Sequence, residues 1–479
     1  MDQPQHARSA TFTQLTEGAI FPPMAGRAAP DLDAAGFSES EWAASGEAVS
    51  YTATATPEDG RFELTEADAA GYSTRVLVRR PMPEKFSGVV LVEWLNVSGG
   101  QDAAPDYTYL ADEILRAGHA WVGVSAQFIG VEGGNAAVSM GGQTIGLRAQ
   151  DSERYGDLHH PGDAYAYDLF TQIGRYARDP RDADGQPVGP LGDLQAEQVI
   201  AVGESQSAFA LTSYVNGVHQ RVGVFDGFLL HSRGAGFLPF DDHGRAADIT
   251  SSLRSGVARV REDIGVPVLV VQAEGDLIGL IGSLPARQPD SQWVMTWEIA
   301  GQAHADLYQL GDFAQFVDCI DPINSGQQVF VLRAGLRHLV SWARGGSRPP
   351  SAPPVEIDDD DEVITDDLGN GRGGVRTPAV DAAVDQLTGV PHPEAQPFCM
   401  LLGRTVGLDE QLLRQRWPGD AQSPDGLPGR EQSPEGLPGR EQYLSAYAEA
   451  TDRLIAEGFL LPEDREEVLA DARPDRITW

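Results

Sequence analysis

Short apolar runs recur along the middle of the chain, and stretches with helical spacing separate them. The strand-like runs lie at 73–81, 87–97, 119–127, 198–204, 225–232, 266–274 and 293–301. The helical stretches lie at 106–118, 162–179 and 326–346. Near-continuous apolar strands separated by helices are typical of a parallel sheet that is covered on both faces. The pattern therefore predicts an α/β fold with a mostly parallel sheet flanked by helices.

Changes of composition divide the chain into three predicted parts. Residues 1–65 are rich in Ala, Gly, Pro and acids and predict an irregular N-terminal lead-in, while 66–346 hold the core. Residues 347–479 begin with a Pro-rich and acidic connector and predict a C-terminal helical cap or appendage. Within that part the decapeptide QSPDGLPGRE recurs as QSPEGLPGRE over 422–441, and this composition predicts a surface loop.

The charge of the chain excludes whole classes of partner. The net charge is -36 over 479 residues, so nucleic acid and anionic membranes are expected to be repelled.

No apolar run approaches the roughly 18 residues of a membrane span. The opening residues MDQPQHARSATFTQL lack the apolar core of a secretory signal, which predicts a cytoplasmic location.

Neither the cysteines nor the histidine pair at 159–160 indicates a metal or a cofactor. Cys319 and Cys399 are too few for a disulfide framework or a zinc site, and buried free thiols are expected. One long-range disulfide is the alternative, which a reducing cytosol disfavours. The stretch HHPGD (159–163) has no partners at ligand spacing and predicts a loop with Asp163 at a helix start.

The stretch QVIAVGESQSAFALTSYV (198–215) places Ser205 between an apolar strand and a helix, the context of a nucleophile elbow. Ser207 stands where the G-x-S-x-G signature has its last glycine, but Gly203 and Ser207 are both small enough for a tight turn. A second near-match, GFSES at 36–40, follows no predicted strand, so Ser38 is rejected. Ser205 is the predicted nucleophile.

The groups that would activate Ser205 follow in the order Ser, acid, His that is typical of α/β-hydrolases. Asp276 and Glu274 lie at the end of the strand at 266–274, and His304 follows the strand at 293–301. Active sites of open parallel sheets form at the carboxyl ends of the strands, where all three would meet. His304 is the predicted general base and Asp276 the preferred acid, with Glu274 as the alternative acid.

An oxyanion needs two backbone N–H donors. The residue after the nucleophile, Gln206, is the first predicted donor. The second is predicted in the Gly-rich loop NVSGG that follows VVLVEWL (89–95), at Asn96 or at Val97.

At these residues the chain resembles the alpha/beta-hydrolase superfamily, and in particular a bacterial family of alpha/beta-hydrolase-domain proteins of largely unknown substrate. The resemblance rests on VEWLNVSGG, WVGVSAQ, HPGDAYAYDLF, GESQSA, ARQPDS, WEIAGQAHAD, PINSG and GNGRGGVRTP, and YLSAYAEATDRLIAEGFLLPED extends it toward the C-terminus. It implies Ser205 as nucleophile, His304 as base and an acid within EGD (274–276).

Together these features predict a serine hydrolase that cleaves a small-molecule carboxylic ester through an acyl-enzyme. An acyltransferase or an amidase would use the same three groups with a different acceptor or leaving group. A binding protein that kept the fold without turnover is the alternative outside enzyme chemistry. The oligomeric state does not follow from the sequence.

Overall fold

A computed structural model describes residues 9–138, 145–182, 184–419 and 437–479. The strands are β1 Thr11–Gln14, β2 Phe37–Ala55, β3 Glu63–Pro81, β4 Val89–Trp94, β5 Ala120–Val124, β6 Gln198–Glu204, β7 Gly227–His231, β8 Val268–Ala273, β9 Val294–Ile299, β10 Asp385–Thr388 and β11 Arg404–Gly407. Nine of these described strands form one sheet in the order β1-β2-β3-β5-β4-β6-β7-β8-β9. Every pair from β5 through β9 is parallel, whereas β1, β2 and β3 join antiparallel. The predicted α/β fold with a mostly parallel sheet is confirmed.

Helices cover both faces of this sheet. They are α1 Leu32–Ala35, α2 Pro105–Ala117, α3 Phe128–Glu132, α4 Leu147–Gln150, α5 Ser152–Tyr155, α6 Ala166–Arg178, α7 Gln206–Ser213, α8 His219–Val222, α9 Ile249–Ser252, α10 Glu274–Leu277, α11 Leu307–Leu310, α12 Gln328–Ala343, α13 Pro378–Asp381, α14 Glu410–Arg416, α15 Pro438–Glu457 and α16 Arg465–Ala470. A π-helical segment, Tyr214–Val218, continues α7. The helices predicted at 106–118, 162–179 and 326–346 correspond to α2, α6 and α12.

The central strands are apolar at every position because their side chains enter two cores alternately. In β6, Val199 and Ala201 belong to the core under α6 and α7. Ile200 and Val202 belong to the opposite core, under α2 and α12. Burial on both faces fixes the register of β6, since a shift by one residue would exchange the two sets.

The prediction that residues 1–65 form an irregular lead-in is wrong, because strands β1 and β2 lie within this range. The two 19-residue strands β2 and β3 pair antiparallel along their lengths, so a boundary at residue 65 would cut through β3. The sequence of β2, FSESEWAASGEAVSYTATA, has no apolar run because only part of the strand is buried. Small side chains such as Ala44 and Ala48 fill its core positions.

The C-terminal part packs on the core face that α2 and α12 cover. Trp417, Tyr443 and Tyr447 belong to the same hydrophobic cluster as the inner side of α12. The guanidinium of Arg333 on α12 is fully buried and pairs with Asp464, Glu467 and Asp112. Because a buried charge needs such partners, these pairs hold α16 and the preceding turn against the core.

The tandem decapeptide at 422–441 lies almost wholly outside the described residues, apart from 437–441 at the start of α15. The chain on either side of it is anchored. Trp417 packs in the core after α14, and the N–H of Gly419 donates to the Gln442 side chain at 3.2 Å. The two ends of this segment therefore lie next to each other on the protein.

The prediction of two free thiols is wrong, because Cys319 and Cys399 form a disulfide. Their Cα atoms are 5.8 Å apart and 80 residues separate them in the chain. Cys319 lies in an irregular connection and Cys399 in a short 3₁₀ turn, so no periodic pattern in the sequence indicates their proximity. The disulfide joins the segment that follows α11 to the turn Phe398–Leu401.

Among the residues that the structure describes, none of the helices combines the length and the apolar character that a membrane span requires.

We expect reduction of the Cys319–Cys399 disulfide to lower the free energy of unfolding by about 2–4 kcal/mol, because the bond constrains a long loop in the unfolded chain. Guanidinium unfolding with and without dithiothreitol measures this, and the Cys319→Ser/Cys399→Ser variant should match the reduced protein in both conditions. An unfolding midpoint that does not move on reduction would contradict the prediction.

Candidate active site

Ser205 lies on a sharp turn between β6 and α7, at the carboxyl end of a central strand. Its φ of 56° and ψ of -120° put a non-glycine residue in a strained region, at a cost on the order of 1–3 kcal/mol. The Ser205 N–H donates to the His231 carbonyl at 2.9 Å, and its own carbonyl accepts from Phe209 N–H at 3.1 Å. These two bonds hold the turn and leave the Ser205 side chain partly exposed.

Small neighbours allow this turn. A Cβ placed on Gly203 would lie 3.1 Å from the Ser207 Cβ and 2.9 Å from a Leu211 methyl, so the position accepts only glycine without movement. Ser207 is fully buried and its hydroxyl has no hydrogen-bond partner among the described residues. Its small size is therefore the property that the turn uses.

The structure brings Ser205, His304 and Asp276 together. His304 Nε2 lies 2.8 Å from Ser205 Oγ, and His304 Nδ1 lies 2.5 Å from Asp276 Oδ1. Asp276 sits in α10 directly after β8, where its second carboxylate oxygen accepts from Ala273 N–H at 2.7 Å. Parallel strands end at a common edge, which is how residues 71 and 99 positions from Ser205 reach it.

The charge of Asp276 governs the protonation of His304. Burial lowers the pKa of the His304 imidazole, but the carboxylates of Asp276 and Glu204 together more than offset this, and the pKa ends above its ordinary value. The hydrogen bond to Asp276 also fixes the ring orientation, so that Nε2 faces Ser205. An imidazole held in this way can take a proton from a hydroxyl.

Glu274, the alternative acid, points away from His304. Its carboxylate accepts from Gly301 N–H at 2.7 Å, from the Thr388 hydroxyl at 2.9 Å and from Gly389 N–H at 3.0 Å. These bonds tie α10 to the loop after β9 and to β10. Burial raises the pKa of Glu274. Its surroundings are those of a carboxylate that joins three segments.

Of the three N–H groups predicted as oxyanion donors, two lie near the nucleophile turn and one is already bonded elsewhere. The Asn96 N–H is taken by the Ala103 carbonyl at 2.9 Å, which removes Asn96 as a donor. The Val97 N–H donates at 3.3 Å to the side-chain oxygen of Gln206, so it faces the nucleophile turn. Gln206 is the first residue of α7, and the N–H groups in the first turn of a helix have no acceptor within the helix. Val97 and Gln206 are thus the pair with N–H groups near Ser205.

A cavity of about 340 Å³ opens above Ser205 and His304. Its walls come from segments that are distant in the chain, and most of them are apolar. The larger apolar side chains that line it are Met24, Phe209, Ile249, Leu253, Leu280, Ile281, Leu310, Phe313, Phe398 and Leu401. Phe398 and Leu401 flank Cys399, so the disulfide anchors one wall. Among the described residues that line it, Glu204 and His304 are the titratable side chains, and none is Lys or Arg.

Several polar side chains that support the site have no signal in the sequence. Gln127 accepts from Trp94 Nε1 at 2.9 Å and from Gln206 Nε2 at 2.5 Å, and so orients Gln206. Asp306 accepts from Tyr109 and from Gln309 N–H, which holds the loop that carries His304. Burial raises the pKa of Asp306 to about 6. Both residues are polar positions in loops, where no periodicity reveals burial.

Asp163, predicted at a helix start, begins a short 3₁₀ turn, Asp163–Tyr165. Its carboxylate accepts from Phe128 N–H at 2.6 Å and from Ala247 N–H at 2.8 Å, which joins two loops near the cavity. Over the described ranges, His, Cys, Asp and Glu side chains form no group of three or more arranged to hold a metal ion.

Comparison with known proteins finds a matching family and similar solved structures. The family described as "Alpha/beta hydrolase domain" matches residues 3–470. No curated protein matches the sequence. One similar solved structure is an α/β serine hydrolase without a lid from Xanthomonas campestris, with 12% identity, a TM-score of 0.26, and coverage of 47% of this chain and 78% of that one. Another, of a fungal esterase from Rhizomucor miehei, has 11% identity, a TM-score of 0.31, and coverage of 62% and 85%. A glucuronoyl esterase from Solibacter usitatus has 12% identity, a TM-score of 0.30, and coverage of 66% and 86%.

We expect Ser207→Gly to change the free energy of unfolding by no more than about 1 kcal/mol, because it removes an unpaired hydroxyl at the modest cost of a glycine in a helix. Ser207→Leu should lower it by at least about 2 kcal/mol, since a larger side chain overpacks the turn against Gly203. Denaturant unfolding compares the two variants. Equal stability of both would show that the turn does not require a small residue at 207.

Proposed function

The chain belongs to the alpha/beta hydrolase domain family, and from that premise we propose that it is a serine hydrolase that cleaves carboxylic esters through an acyl-enzyme. The observation that carries the proposal is the contact series from Ser205 Oγ to His304 Nε2 (2.8 Å) and from His304 Nδ1 to Asp276 (2.5 Å). It lies at the floor of a cavity large enough for a small ester.

The first step is acylation. Ser205 Oγ attacks the ester carbonyl carbon while its proton passes to His304 Nε2, and the carbonyl π electrons move onto oxygen. Asp276 stabilises the imidazolium that forms and keeps Nε2 directed at the hydroxyl. When the tetrahedral intermediate collapses, the alcohol leaves with the proton from His304 and the acyl group stays on Ser205.

The oxyanion of the intermediate is stabilised by the N–H groups of Gln206 and Val97. In the free protein the Val97 N–H donates to the Gln206 side-chain oxygen at 3.3 Å, a long bond to a neutral acceptor. A substrate oxygen that becomes negatively charged would compete well for this donor, because hydrogen bonds to ionised acceptors are about twice as strong. The Gln206 side chain would then retain its bond to Gln127.

Deacylation repeats the steps with water. His304 takes a proton from the water as it attacks the acyl carbon, and then returns it to Ser205 as the carboxylic acid leaves. An acid product ionises at neutral pH and finds no Lys or Arg among the lining residues that the structure describes, which favours its departure.

The lining also indicates the class of ester. Apolar side chains dominate the walls, the carboxyl group of Glu204 lies beside Ser205, and the lining residues within the described ranges include no Lys or Arg. Burying an anionic substrate group there without a cationic partner would be costly. We therefore propose uncharged esters with an apolar acyl or alcohol group as substrates.

The compartment and the partners remain proposals from the sequence. The net charge of -36 argues against nucleic acid and anionic membranes as partners. A cytoplasmic location stays a prediction, and the Cys319–Cys399 disulfide disfavours it, because the cytosol keeps thiols reduced.

A fluorophosphonate probe should label the wild-type protein at Ser205, because the His304–Asp276 pair makes that hydroxyl nucleophilic. Ser205→Ala should abolish labelling and lower kcat for an activated aryl ester by at least about 10⁴-fold. Mass spectrometry of the labelled peptide and steady-state kinetics measure both effects. A folded wild-type protein that takes up no probe would refute the serine mechanism.

Asp276→Asn provides the test of the acid, and Glu274→Gln is its matched control. Asp276→Asn should lower kcat by about 10⁴-fold, since the amide favours the wrong tautomer of His304. Glu274→Gln should lower thermal stability and leave kcat within a few-fold. The reverse ranking would exchange the two assignments.

For p-nitrophenyl esters, kcat/KM should rise about fourfold with each added acyl methylene from acetate until the cavity is filled, because each buried methylene contributes about 0.8 kcal/mol. The hemisuccinate ester, close in length to the pentanoate but anionic, should react at least about tenfold more slowly than the pentanoate. A flat chain-length series, or a preference for the anionic ester, would contradict the proposed substrate class.

A further inference from the structure

The mechanism above leaves unused a carboxylate that lies beside its reacting atoms. Glu204, the last residue of β6, immediately precedes the nucleophile and is buried at the floor of the cavity. Its Oε1 is 3.5 Å from His304 Nε2, the nitrogen that faces Ser205 Oγ. Asp276 approaches the same imidazole at the other nitrogen. His304 therefore has carboxylates on two sides.

A second contact links Glu204 to the loop that carries Val97. The Asn96 side-chain amide donates to the Glu204 main-chain carbonyl at 3.1 Å and to Glu204 Oε2 at 3.3 Å. The other end of the Asn96 side chain accepts from Ser98 N–H at 2.8 Å. Asn96 and Ser98 bracket Val97. Glu204 thus bridges the nucleophile turn and the loop of the second oxyanion donor.

The charged groups around Glu204 have opposite effects on its pKa. Burial raises the pKa of Glu204 to about 7, the two histidines near it lower that pKa, and nearby carboxylates raise it. The titratable groups that act on it or face it from adjoining elements are His304, His231 on β7, Asp106 and Tyr109 on α2, and Asp276 on α10. Its ionisation therefore depends on the charge of His304.

We propose that Glu204 is a positioning residue that, when ionised, stabilises the His304 imidazolium during proton transfer and holds the Val97 loop through Asn96. The proposal rests on the proposed function. The proton that leaves Ser205 travels to His304 Nε2 and then to the leaving alcohol, and Glu204 neither gains nor loses a proton in the step. Its contribution is the attraction between its charge and the cation that forms 3.5 Å away.

The Glu204→Gln variant tests this role, because the amide keeps the size of the side chain and an oxygen for Asn96 but removes the charge. The same attraction raises the pKa of His304 in the free protein and lowers the barrier of the step that forms the imidazolium. Removal of the charge should therefore weaken both effects together. The acid limb of the pH profile of kcat/KM should shift to a pH about one unit lower, and kcat should fall about tenfold. The wild-type limb reports a coupled pair, whereas the variant should titrate as a single group.

An NMR titration gives a readout that does not depend on turnover. In the Ser205→Ala background, the His304 imidazole should titrate about one unit lower when Glu204→Gln is added. Glu274→Gln is the matched control, as a buried glutamate of similar setting without contact to His304, and it should leave both the titration and the acid limb in place. Should Glu204→Gln fail to fold, Glu204→Asp tests the same point, since it keeps the charge and should keep the acid limb.

If Glu204→Gln lowers activity at every pH but shifts neither the acid limb nor the imidazole titration, Glu204 has only a structural role and the proposal is overturned. A rise in kcat would overturn it as well. Failure of the serine mechanism itself is distinguishable, since it would appear as absent fluorophosphonate labelling of wild type while the imidazole titration still responds to Glu204→Gln.

Discussion

The strand-to-helix turn at Ser205 is the constraint on which the rest of the site depends. It holds a serine in a backbone conformation that costs free energy, and bonds from the neighbouring strand β7 and from α7 maintain it. The turn can stand above the sheet because Gly203 and Ser207 occupy almost no space beneath it. The helix that begins there turns its first amides toward the same point. One local geometry thus exposes the hydroxyl and supplies one donor for the charge that would form on substrate.

The sheet delivers the other groups to this turn. β4, β6, β8 and β9 are parallel and end at one edge, so residues that immediately follow them converge. This is why the order of motifs in the sequence was sufficient to predict that Ser205, His304 and Asp276 lie together. The choice between Asp276 and Glu274 depended on a turn of one short helix, α10, which places side chains two positions apart on different sides. Sequence spacing does not determine that orientation.

The errors of the sequence interpretation have physical causes of the same kind. Strand β2 was missed because it is built from small and polar residues and only part of it is buried, so that it lacks an apolar run. The disulfide was missed because its cysteines lie in a loop and in a short turn, where the sequence has no periodic pattern. The roles of Asn96, Gln127 and Glu204 depend on side-chain hydrogen bonds between segments distant in the chain. Such bonds leave no periodic trace, and burial of an acid is visible only after the strands are assembled.

The anchoring of the chain on both sides of the duplicated decapeptide bears on how this protein tolerates changes of length. Gly419 and Gln442 are hydrogen-bonded to each other, so any peptide between them starts and finishes at one spot on the surface. For a flexible peptide inserted between these two positions, the entropic cost of closure would grow slowly, by about 0.6 kcal/mol for each doubling of its length. Gain or loss of one copy of the decapeptide would therefore change the free energy of folding little. This makes the segment a suitable place for insertions and deletions to accumulate and for a reporter to be fused.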